Sequence, residues 1–159
     1  MKTKSVNEME KLSIALMVIL CVTSVATIIA GVFIIKDLVT AKGDNILLME
    51  NIEGIISYVF YLAIQIFAVL IFRSIQKYKT PFISAVSRNI KIIGILVMFA
   101  KPISLWAAGL IAAIGQDGFA FTFVNSSVLF GILLGLIVAC IGAIFDYGCV
   151  LQKQDDETL

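Results

Sequence analysis

Four stretches of this chain carry almost no charge, and each is long enough to leave water altogether. They run over about residues 12–35, 54–74, 90–114 and 121–146. A helix needs roughly 20 apolar residues to cross about 30 Å of hydrocarbon. Lipid offers the backbone no hydrogen-bond partners, so such a run folds as a helix, which satisfies its own N–H and C=O groups. The rest of the sequence cannot shield these runs inside a soluble domain. Of the 159 residues 60% are hydrophobic and 14% charged, against about 45–50% and about 25% in soluble proteins. The sequence therefore predicts an all-α, polytopic membrane protein: one transmembrane domain over residues 1–159, with four transmembrane helices in an antiparallel bundle.

Lys and Arg set the orientation, because they collect in cytoplasmic segments. Lys2, Lys4 and Lys11 precede the first run, and Arg73, Lys77, Lys79, Arg88 and Lys91 separate the second from the third with no acid among them. The first loop sets Lys36 and Lys42 against Asp37, Asp44, Glu50 and Glu53, and the third holds only Asp117. Both termini, a basic loop at 73–91 and a tail at 147–159 are thus expected in the cytoplasm. The first run exceeds the 7–15 residues of a signal-peptide core and reads as a retained helix. Cys21 and Cys140 fall inside runs and Cys149 in the tail, where no disulfide is expected. A net charge of +1 gives no field to attract nucleic acid.

Small residues indicate how the helices pack. The fourth run has Ser127, Gly131, Gly135, Ala139 and Ala143 at intervals of four, and the third has Ala100, Ser104, Ala108 and Ala112. A shorter row, Thr23, Thr27 and Gly31, marks the first. Such rows let backbones approach closely in lipid, which predicts a tight hairpin of the third and fourth helices, with dimerisation as the other use. Thr80 and Pro81 have the chemistry of an N-cap and first helical residue. They place the start of the third helix near Pro81, with Phe82, Val86 and Ile90 at the headgroup boundary.

Catalytic chemistry is scarce. His is absent, and no phosphate-binding glycine loop, paired cysteines or aspartyl dyad occurs. A non-enzymatic protein without metal or cofactor is expected. Ser104, one turn from Lys101, is a weak match to a Ser–Lys pair. Lys101 is the polar oddity: about ten residues from either end of its run, it lies roughly 15 Å deep at the helical rise. A Lys there costs at least about 2.5–3.5 kcal/mol on insertion scales. No carboxylate lies inside the four runs short of Asp146 at the end of the fourth, and Gln65 matches Lys101 best in depth. Lys101, Gln65 and Ser104 are therefore the candidate binding residues, for an anionic lipid or ligand.

Two further stretches, Thr80-Pro81-Phe82 through Asn89-Ile90-Lys91-Ile92-Ile93-Gly94 and Phe145-Asp146-Tyr147-Gly148-Cys149-Val150-Leu151-Gln152 with its acidic, Thr-containing end, resemble the bacterial family called domain of unknown function 2975. The family name carries no activity. Its members are often encoded beside small helix-turn-helix regulators, so the resemblance implies a sensor or regulatory partner of such a protein in the bacterial plasma membrane. The cytoplasmic interaction surface would comprise Arg73, Lys77, Lys79, Arg88, Lys91, Asp146 and Tyr147. The tail would fold back on the basic loop, with Asp146 meeting Arg73 or Arg88. The alternative is a small transporter or channel subunit, possible as a homo-oligomer, with its polar site around Lys101. Partners are then the lipid bilayer and a cytoplasmic regulator, with no direct nucleic acid.

Overall fold

A computed structural model describes the backbone of residues 2–40, 45–114 and 125–157, and within these the side chains of all but residues 2–10, 45, 46, 48, 112, 114 and 156. The chain forms α1 (Lys2–Thr40), α2 (Asn45–Tyr78), α3 (Ser84–Ile114) and α4 (Ser126–Glu157). All four are long and apolar enough to cross a membrane. This is a multi-pass, all-α membrane protein. Helices of 31 to 39 residues extend about 46–58 Å at the helical rise. They therefore project beyond the hydrocarbon core.

That projection changes the connections. The expected basic loop 73–91 contracts to residues 79–83, with Arg73 and Lys77 on the last turns of α2 and Arg88 and Lys91 on the first turns of α3. The tail does not fold back, because α4 runs on to Glu157. A helix needs apolar side chains only where lipid surrounds it, and Gln, Lys and Glu are good helix formers in water. The third helix starts at Ser84, not near Pro81. Lys79, with φ at 57°, ends α2 in the left-handed region, its N–H bonding the Ile75 carbonyl at 2.8 Å. The Thr80 hydroxyl accepts the Phe82 N–H at 3.3 Å, capping a turn before the helix. The chain must reverse within five residues, and Pro81 serves that reversal. The start of α4 is set by Asn125, whose Oδ1 accepts the Val128 N–H at 2.9 Å.

Contacts between helices establish the antiparallel order. Ser13 meets Gln76 and Thr27 meets Gln65, so α2 descends as α1 rises. Across α3 and α4, Phe82 lies against Gly148, Lys91 against Gly142, and Gly94 against Gly135 and Ala139. Each helix packs on its neighbours in sequence, and α1 touches only α2 among the described residues. The bundle is thus an open row with α3 between α2 and α4. The fully or nearly buried apolar residues, Val86, Ala100, Ala108 and Val128, all lie on α3 and α4.

The seams follow a period of 3.5, not the intervals of four expected from the small residues. On α4 that period runs through Val128, Gly131, Gly135, Val138, Gly142, Phe145 and Cys149, all sheltered, whereas Ser127 and Ala143 are exposed. A step of four residues turns 400° and drifts about 40° around the helix each time, while alternating three and four stays on one face. Gly135 is buried and Ala139 half-buried. Gly135 and Gly94 bring the two backbones together: a Cβ at Gly135 would stand 2.6 Å from the Gly94 carbonyl oxygen. On α1 the same period runs through Ser13, Met17, Leu20, Ser24, Thr27, Gly31, Ile34 and Leu38. Thr23 is exposed and bonds only its own backbone, at the Leu20 carbonyl. Ser104 and Ala108 of the α3 row are fully buried. The Ala112 side chain, the Asp117 loop and residues 121–124 of the expected fourth run lie outside the described residues.

Candidate functional site

Lys101 does have an acid. Glu53 of α2 pairs with its ammonium group, which corrects the expectation of an unpaired lysine. Because α2 begins at Asn45, Glu53 stands two turns inside the helix, not in a loop, and the antiparallel register carries it to the level of Lys101. Both groups are partly sheltered by protein, with side chains 36% and 20% exposed for Lys101 and Glu53. Lys101 lines a groove of about 620 Å³ between α2 and α4, with α3 as its floor, and Glu53 stands behind it, one turn of α2 from the lining residue Ser57. Ser57, Tyr61, Lys101, Ser126 and Ser127 supply its polar lining. Ile64, Val97, Phe130 and Leu134 supply its apolar walls. The α3 helix continues unbroken through Pro102.

The other two residues expected beside Lys101 do not join its ammonium group. Ser104 is fully buried, and its hydroxyl donates to the Lys101 backbone carbonyl at 3.0 Å, which leaves no Ser–Lys pair. Gln65 faces α1: its Nε2 donates to Thr27 Oγ1 at 3.2 Å. That hydroxyl in turn donates to the Thr23 carbonyl. Glu53 is the residue that sequence reasoning missed. The available signal was the row Glu53, Ser57, Tyr61, a polar face at intervals of four that runs from the acidic segment into the second span.

A second polar cluster ties the opposite end of the bundle. Ser87, fully buried on α3, directs its single hydroxyl proton between the Gly142 carbonyl, at 2.9 Å, and Asp146. Lys91 pairs with the other oxygen of Asp146. The acid therefore meets Lys91 and Ser87, not Arg73 or Arg88 as expected. One turn of helix separates Ser87 from Lys91, so the two reach the same carboxylate from one face. Phe82 packs on Phe145 with ring centroids 5.7 Å apart. It also lies over Gly148, where a Cβ would come within 2.6 Å of the ring. The Thr80 hydroxyl donates to Gln152 Oε1 at 3.4 Å. Around this tie Arg73, Lys77, Lys79, Arg88 and Tyr147 are exposed. Replacing Ser87 by Ala is expected to lower unfolding free energy by about 1 kcal/mol, the usual worth of one internal hydrogen bond. Detergent-unfolding titration of the two proteins measures it, and Ser87→Thr, which keeps the hydroxyl, distinguishes the lost bond from the lost volume.

No family model matches the chain, and neither a curated protein nor a solved structure shows significant similarity to it.

Proposed function

We propose that this is a non-enzymatic protein of the bacterial plasma membrane that transmits a state of its helix bundle to a cytoplasmic regulator of the helix-turn-helix type. The reading rests on the charge bias of the loops, which orients both termini inward, and on the resemblance to the family called domain of unknown function 2975. The observation that carries it is the tie between the α2–α3 turn and the extended α4. Ser87, Lys91 and Asp146 couple α3 to α4, and the projecting α4 continues to Glu157. A shift of α4 along α3 would move the exposed basic residues and the helical extension relative to each other, giving a soluble partner two arrangements to distinguish.

The test is co-purification from gently solubilised native membranes. The full chain is compared with one ending at Leu151, which keeps Asp146 in place, and with the double variant Arg73→Glu/Arg88→Glu. A soluble DNA-binding protein that is retained by the full chain and lost from the altered ones is the expected result. No such protein at native expression, or equal retention by all three, rejects the proposal. The second reading, a transporter or channel subunit, is favoured by the charged pair at the groove. Ion flux in reconstituted vesicles that disappears with Lys101→Met would support it.

A further inference from the structure

The groove lined by Lys101, whose ammonium group holds Glu53, has a polar end, an apolar end and an open side. We infer that it binds a phospholipid with a zwitterionic, primary-amine headgroup, taken from the leaflet facing away from the cytoplasm. The phosphate would meet Lys101 and the ammonium Glu53. This goes beyond the regulatory reading and does not depend on a cytoplasmic partner.

Charge selects the headgroup. The two side chains sum to zero, so a purely anionic headgroup that reaches Lys101 also meets Glu53, and a cation at Glu53 also meets Lys101. A zwitterion matches both, replacing one ion pair by two charge-assisted contacts. A primary ammonium can donate hydrogen bonds to Glu53, which a quaternary one cannot. Ser57, Tyr61, Ser126 and Ser127 at the same end supply further hydrogen-bonding groups.

Shape selects a lipid over a free zwitterion. No contacts join α2 to α4 among the described residues, so the groove opens sideways toward the membrane. From Ser126 to Leu134 along α4 it descends about 12 Å at the helical rise, passing from polar lining to Ile64, Val97, Phe130 and Leu134. That sequence of surfaces follows a phospholipid from headgroup to acyl chain. A volume of about 620 Å³ lies within the roughly 300–1,000 Å³ of small-ligand sites. By the charge bias of the loops, Glu53 and Ser126 mark the end away from the cytoplasm.

Native mass spectrometry of the full chain tests the inference, using phosphatidylethanolamine, phosphatidylglycerol and phosphatidylcholine with identical acyl chains. Phosphatidylethanolamine is expected to remain bound at concentrations about tenfold lower than the other two, as one charge-assisted hydrogen bond would give. Lys101→Met and Glu53→Gln should each remove that preference, and Lys101→Arg should keep it. Gly131→Leu fills the groove without touching either charge. A Cβ at Gly131 meets Val97 O at 3.6 Å and Lys101 Cβ at 3.8 Å, ordinary contact distances, so the backbone admits a side chain here; the variant should lose the lipid, and an unfolding midpoint near that of the wild type checks that it folds. Equal retention of all three lipids by the wild type, or a preference that survives both Lys101→Met and Gly131→Leu, would overturn the site. Competition by glycerophosphoethanolamine as effective as by the whole lipid would overturn the lipid as its occupant.

Discussion

Gly135→Ala is expected to lower the unfolding free energy by about 2–3 kcal/mol, the cost of forcing extra volume into a packed seam. Its Cβ would lie 2.6 Å from both the Gly94 carbonyl oxygen and the Met98 amide nitrogen, and 2.7 Å from Met98 Cβ. Two of those neighbours are backbone, so no rotamer change relieves the contact and α3 and α4 must separate. Separation weakens contacts along the whole seam, because packing forces fall steeply over fractions of an ångström. Gly131→Ala, on the same helix one turn away, meets only ordinary contacts and should cost less than about 1 kcal/mol. Gly31→Ala has nothing within 4 Å and should change stability by no more than about 0.5 kcal/mol. Trp106, the only tryptophan, lies on α3 and offers a fluorescence signal for titration with a denaturing detergent. Three equal effects would mean that general helix propensity, not close approach at Gly135, governs the result.

The spans were legible because the bilayer demands a property that sequence carries directly, about 20 consecutive apolar residues. Their ends were not. Beyond the hydrocarbon a helix can continue with polar residues, so charge marks the membrane boundary and not the helix boundary. Taking one for the other put Glu53 in a loop, left Lys101 without an acid and turned the helical extension after Asp146 into a separate tail. The small residues identified α3 and α4 as close neighbours, and Gly135 lies where they meet. The interval of four chosen for them rotates off the seam, which is why Ala143 is exposed and Gly142 and Gly94 were overlooked. Asp146 was recognised as a contact residue with the wrong partners. Pairing depends on the register between helices, and local sequence does not contain it. Once α3 and α4 are set antiparallel with Gly94 against Gly135, Lys91 and Ser87 fall opposite Asp146 as a consequence.

Glu53→Ala alone is expected to cost about 2–3 kcal/mol, because it leaves a partly sheltered Lys101 charged and unpaired, and removing one partner of a sheltered pair costs more than the pair itself contributes. Snorkelling of the long side chain toward the surface recovers part of this. Lys101→Met should cost less, about 1 kcal/mol. The glutamate it abandons lies two turns from the start of α2, close enough to the boundary to recruit water, and Met fills most of the lysine volume. The double variant Glu53→Ala/Lys101→Met removes both charges, and a paired charge replaced by apolar side chains is often neutral or stabilising. It should therefore be nearly as stable as the wild type, giving a coupling of about 3–4 kcal/mol between positions 53 and 101. The asymmetry between the two single variants is the informative part. A pair formed in water would be screened, and both single losses would be small and nearly equal. A pair formed within the membrane makes the deeper charge depend on the shallower one. Singles that simply add in the double variant would show that the two side chains do not meet in the bilayer. The groove would then hold two separate charges, each satisfied by water or lipid.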